Sequence, residues 1–101
     1  MDTLDQLEMA DFAGHLNESF AVQLTDGDAY ALELIEVSEL SRPPDQPGRQ
    51  PFALIFRNAR TDAYLAQATH LLTHEDLGSL SLFLVPLGPQ QDGMHYEALF
   101  T

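Results

Sequence analysis

The stretch HLLTHEDLG at residues 70–78 sets two histidines four positions apart and follows them with two carboxylates. His70, His74, Glu75 and Asp76 are all metal-ligand or acid–base types. On a helix, His70 and His74 would share a face and could hold one ion. The local pattern predicts a strand instead. Thr69, Leu71 and Thr73 alternate with His70, Leu72 and His74, and threonine favours β structure. On a strand, positions four apart share a face but stand ~13 Å apart. Zinc needs each nitrogen within ~2.1 Å, so this pair cannot share an ion unless a third element folds between them. Glu75-Asp76-Leu77-Gly78 then reads as a turn, with Gly78 supplying a positive φ. His74 takes a structural role: a ring just before an acidic turn can donate to a carboxylate or a backbone carbonyl and fix the turn.

The other chemistry-bearing residues read the same way. Asp26-Gly27-Asp28 resembles part of a calcium loop, but an EF-hand also needs a closing glutamate and flanking helices. A hairpin turn accounts for it, and for Asp92-Gly93. Ser79 follows Gly78 but leads into a strand, and no G-x-S-x-G occurs. Glycine-rich phosphate loops, zincin motifs and cysteine are all absent from the sequence. Arg57 and Arg60 flank a polar turn, and a salt bridge to Glu97 or Glu33 explains them better than an anion site. The residues therefore predict no catalytic centre, no cofactor and no metal, with His74, Arg57 and Glu97 in structural roles.

The elements that must position these residues are mostly strands. Residues 7–16 place Met9, Phe12, Ala13 and Leu16 on one helical face, with Gly14 and Asn17 as terminators. The period then changes to two. Phe20, Val22 and Leu24 lead to the turn Thr25-Asp26-Gly27-Asp28, and Tyr30, Leu32 and Leu34 continue beyond it. The phase slips at Ile35 and Val37, which predicts a β-bulge near Ile35-Glu36. Residues 41–51 hold four of the six prolines and form the long loop. Phe52, Leu54 and Phe56 make the next inward stripe, and residues 57–62 a turn. Residues 64–73 form a strand, and Leu80, Leu82 and Leu84 mark another. Both faces are apolar over residues 83–87, which predicts a strand end covered on both sides, with the helix suited to be the cover. Residues 88–93 read as a turn. Met94, Tyr96, Ala98 and Phe100 face in along the last strand, opposite His95, Glu97 and Leu99. The expectation is a single, mainly β domain over residues 1–101. It has a short extension at 1–6, one short N-terminal helix at 7–16, and a six-stranded antiparallel meander over 18–101. The meander closes into a small barrel or sandwich.

Length and charge narrow the partners. A chain of 101 residues with 45% hydrophobic content can bury a core. Its net charge is −12 and its four basic residues are all arginine. Phosphate backbones and anionic membranes repel such a chain, so neither nucleic acid nor membrane is expected as a partner. The opening MDTLDQLEMADF is acidic and has no basic, apolar leader pattern. The expectation is cytoplasmic synthesis, with any extracellular location reached as part of a particle or assembly.

The order of motifs is informative as a whole. A short D-F helix is followed by a D-G hairpin, a proline-rich loop and PFALIFR. THLLTHEDLG, LFLVPLGP and DGMHYEALF come next. This arrangement resembles the DUF6916 family of small bacterial domains of unknown function, over nearly the whole chain. Two residues depart from the family pattern: Asn58 stands where glycine is common, and His70 where tyrosine is common. The resemblance implies an encoding near phage-tail-collar-like proteins. It thereby implies a non-enzymatic structural or assembly role in a phage-tail-like or fibre-forming system. Partners would then be a second copy of the chain or a collar-type fibre protein. Leu4, Leu99, Thr101 and the edge of the last strand are the expected contacts. The rival readings are an acidic, chaperone-like adaptor for a basic partner and a hydrolase or metal enzyme using His70, His74, Glu75 or Asp76.

Overall fold

The alternating segments become the six strands of a closed antiparallel barrel. A computed structural model describes residues 9–23, 29–40, 51–59 and 65–100. Its elements are α1 (Met9–Ala13), β1 (Ser19–Gln23), β2 (Ala29–Glu39), β3 (Phe52–Asn58), β4 (Ala68–His74), β5 (Gly78–Gln90) and β6 (Gly93–Phe100). The expectations placed on Leu4, Leu24, residues 25–28, the loop at 41–50, Arg60–Asp62 and Thr101 lie outside the described residues.

Around the barrel the order is β1-β2-β3-β6-β5-β4. The single meander expected from even strand spacing is therefore two three-stranded meanders, joined where β3 pairs with β6 and where β1 pairs with β4. After β3 the chain passes to a strand beside β1 rather than folding straight back. Strand spacing records lengths and not neighbours, so it could not distinguish these orders.

Period-two patterning fills the interior. Phe20, Leu32, Leu34, Phe52, Leu54, Phe56, Leu72, Leu84 and Tyr96 are all buried, with Tyr30, Leu80, Leu82 and Phe100 beside them. The two tyrosine hydroxyls at the centre, Tyr30 and Tyr96, are 2.9 Å apart. The Leu65 N–H donates to the Tyr96 oxygen at 2.8 Å, so these buried polar groups satisfy one another.

The phase slip in β2 is a bulge. Leu34 pairs with Phe56 and Glu36 with Ile55, which leaves Ile35 as the extra residue. A second bulge leaves Leu87 between the Pro86–Tyr96 and Gly88–His95 pairs, with Gly88 at φ 96°. The strand therefore continues to Gln90, through residues expected to turn. Phe83 and Leu87 are exposed rather than covered on both sides. The helix packs elsewhere, against β2, and the Phe12 ring lies 5.8 Å from Phe52 and 5.3 Å from Phe100. It ends at Ala13, and Ala13 and Leu16 are exposed, so among the described residues Phe12 and Met9 carry its packing face. What shortens it is a turn over residues 14–17 in which Asn17 adopts φ 69°. The Asn17 N–H donates to Leu34 O and the Leu34 N–H donates to Glu18 O, which ties this turn to β2.

Candidate functional site

That turn brings His15 and Glu18 to the last residue of β4. His74 points inward in the β4 alternation, and its side chain is only 3% exposed. Its ring lies 4.6 Å from the Phe20 ring and 4.6 Å from the His15 ring. Glu18 Oε1 receives two hydrogen bonds, from His15 Nδ1 at 2.9 Å and from His74 Nε2 at 2.8 Å. On the other side of the ring, His74 Nδ1 accepts from the backbone N–H groups of Asp76 at 3.0 Å and Leu77 at 3.2 Å. Gly78 closes this turn at φ 77°.

These bonds dictate the protonation of His74. A backbone N–H can only donate, so Nδ1 must carry a lone pair. A neutral ring then holds its proton on Nε2, where it faces the Glu18 carboxylate. The hydrogen bond from His15, and after it the one from His74, holds the Glu18 carboxyl below its ordinary value.

A second constellation lies on the outer surface. Glu33, Arg57 and His95 are cross-strand partners on β2, β3 and β6. Arg57 Nη2 donates to Glu33 Oε1 at 3.0 Å and Nε donates to the same oxygen at 3.2 Å. Nη1 donates to the Asp92 carbonyl oxygen, and the Asp92 carboxylate lies 4.0 Å from Nε. The His95 ring bonds Asp92 Oδ1 at 2.8 Å, and this bond leads the effects that depress the Asp92 carboxyl. A shallow depression of about 260 Å³ beside Arg57 is lined by Ser19, Ala31, Glu33, Asn58 and Ala59. Arg57 is committed to Glu33 and Asp92 there, which leaves little to attract an anion. The buried Asn58 amide donates to Ala31 O at 2.6 Å.

The family model for the domain of unknown function DUF6916 matches residues 7–100 of this chain. The chain belongs to the DUF6916 family. No curated protein and no solved structure matches it.

In this DUF6916 domain the residues singled out by type and spacing part company. His70 and His74 do not converge: His70 Nε2 bonds the Ala66 carbonyl oxygen at 2.7 Å. Glu75 is exposed on the turn. Ser79 pairs with Thr73 in the β4–β5 ladder, and Asp92 sits in the β5–β6 hairpin. Arg57 takes Glu33 as its partner. Glu97 stands between Ile55 and Val85 on the outer face. Sequence reasoning missed His15 and Glu18. Their spacing of three is an available signal, but His74 lies 56 positions from Glu18, and nothing local links them.

Ligand atoms of His15, Glu18, His74 and Asp76 lie within 4.8 Å of one another. Two histidines and two carboxylates are zinc-type donors. The fit fails at His74. An ion on Nε2 would move the ring proton to Nδ1, which would point it at two N–H donors. The cluster can fasten the β4–β5 turn to the start of β1 as it stands. To hold an ion through His74 it would have to open that turn.

Proposed function

We propose that this DUF6916 domain is a non-enzymatic assembly module, acting through protein–protein contacts in a phage-tail-like or fibre-forming system. The observation that carries the reading is a set of large apolar side chains exposed on the outside of the barrel. Leu71, Phe83 and Leu99 are 55%, 52% and 56% exposed. They stand on neighbouring strands β4, β5 and β6. Burying one such side chain contributes about 1.5–3 kcal/mol, and grouped exposed apolar residues mark interaction surfaces. The polar constellations support the same reading, since their side chains bond to one another and to turns.

The route of contact differs from the strand edge expected for β6. In the closed barrel β6 pairs with β3 on one side and β5 on the other. Leu99 therefore contributes through its face. The test is a tagged pull-down from the native host at physiological salt, read by mass spectrometry, with Phe83→Ser/Leu99→Ser alongside. A near-stoichiometric collar-type or fibre protein, or a large homotypic species, lost in the double variant, supports the proposal. Recovery of a lone monomer from both would refute it.

A further inference from the structure

The apolar face carries a charge pattern that selects its partner, and the inference from it rests on the assembly reading above. Across four strands one outer row reads Glu36, Ile55, Glu97, Val85, each opposite the next. The adjoining row reads Ser38, Ala53, Leu99, of which Ala53 is buried and Leu99 exposed. Phe83 and Leu99 lie on the same outer face just past the last pair of the β5–β6 ladder, Val85–Glu97: Phe83 is two residues before Val85 and Leu99 two after Glu97. Leu71, opposite Ser81, stands diagonally from Phe83, within reach of an aromatic side chain. An apolar strip, Leu99–Phe83–Leu71, thus runs beside a row holding two carboxylates.

Those carboxylates have no cationic neighbour among the described residues. Glu36 accepts from the Ser38 hydroxyl at 2.7 Å. Arg57, the one described arginine, is engaged by Glu33 and Asp92 in the row beyond. We propose that this face binds an apolar segment of a different protein that carries lysine or arginine beside its apolar residues. Leucine- or valine-type side chains would cover the strip, and the basic groups would reach Glu97 and Glu36 while their hydrocarbon stems add apolar contact. A second copy suits the face poorly. A two-fold axis lying across the strip would bring its carboxylate rows together, and in any orientation a self-contact joins chains that each carry −12.

The test uses the full chain and two labelled synthetic peptides, one alternating leucine with lysine and one alternating leucine with glutamate, read by fluorescence anisotropy at low and physiological salt. The leucine–lysine peptide is expected to bind and the leucine–glutamate peptide to fail. Phe83→Ser and Leu99→Ser should each weaken binding at least about tenfold. Glu97→Lys should weaken it comparably, whereas Glu75→Lys, on the distant turn, should not. All four positions are at the surface, and unchanged urea midpoints verify that the variants fold. Equal binding of both peptides overturns the inference. So does binding that ignores Phe83→Ser and vanishes at physiological salt, which returns the acidic-adaptor reading. Sedimentation equilibrium separates the two levels of argument. A homotypic species dissolved by Phe83→Ser/Leu99→Ser preserves the assembly role and refutes the basic partner. A monomer that binds neither peptide refutes both.

Discussion

Replacing His74 with phenylalanine keeps a planar ring between Phe20 and His15 and removes both ring nitrogens. Packing is nearly conserved, so the change isolates the hydrogen bonds. Two backbone N–H groups, of Asp76 and Leu77, lose the acceptor they share. A net value of ~1 kcal/mol for each bond gives about 2 kcal/mol. The bond to Glu18 adds little, because that carboxylate is 46% exposed and screened by water. In a domain of this size each kcal/mol moves the melting temperature by ~4–8 °C, so the expected fall is roughly 8–16 °C. Urea unfolding followed by far-ultraviolet circular dichroism measures it, with calorimetry as the second probe. The cause is separately testable by long-range ¹H–¹⁵N correlation of the histidine rings, which should show His74 protonated on Nε2 alone. A His74→Phe variant within ~0.5 kcal/mol of the parent, the range of a neutral surface change, would refute the reasoning. A ring protonated on Nδ1 would refute it directly.

Gly93→Ala should destabilise the barrel by ~3 kcal/mol or more, from backbone strain and displacement together. Gly93 sits at φ 125°, and an added Cβ would run into the Asn58 carbonyl and approach Ala59 Cα to 2.9 Å; a urea midpoint equal to the parent's would contradict this. Tyr96→Phe removes the buried acceptor of the Leu65 N–H and should cost ~1–3 kcal/mol, read in the same assay. Glu18 and Asp92 are both held below their ordinary values of 4.5 and 3.8. Their folded-state pKa values lie under the unfolded ones, so the stability they add is complete above those ordinary values. It is lost as pH falls through the folded values. Urea midpoints measured from neutral to strongly acidic pH should fall in that window, and Glu18→Gln should flatten part of the fall.

Alternation of side chains is why so much of the barrel could be read in advance. Phe20–Val22, Tyr30–Leu34 and Met94–Phe100 each carry apolar residues at every second position, and each lies inward as that period demands. The bulge at Ile35 was readable because polar residues on both sides of it expose the change of phase. The bulge at Leu87 was not. Residues 83–87 are uniformly apolar, so a slip there leaves no trace in the pattern. The helix is shorter than its apolar period, because Ala13 and Leu16 continue a pattern that the chain abandons at Gly14. The His74 cluster escaped for a different reason. Hydrogen bonds to a carboxylate have no periodicity, and Glu18 reaches His74 only once β1 and β4 are side by side.

Closing a barrel from two meanders gives it two junctions, and here they are unequal. Seven cross-strand pairs join β3 to β6, from Phe52–Phe100 to Asn58–Met94. Among the described residues two join β1 to β4, Ala21–Thr73 and Val22–Leu72. Local opening begins where the fewest bonds must break together. The ring should therefore part first between β1 and β4, and the amides of Ala21 and Thr73, which pair across that junction, should exchange with solvent ahead of those of Leu54 and Tyr96. Glu18 stands just before β1 and His74 ends β4, so their hydrogen bond spans the weaker junction of the ring.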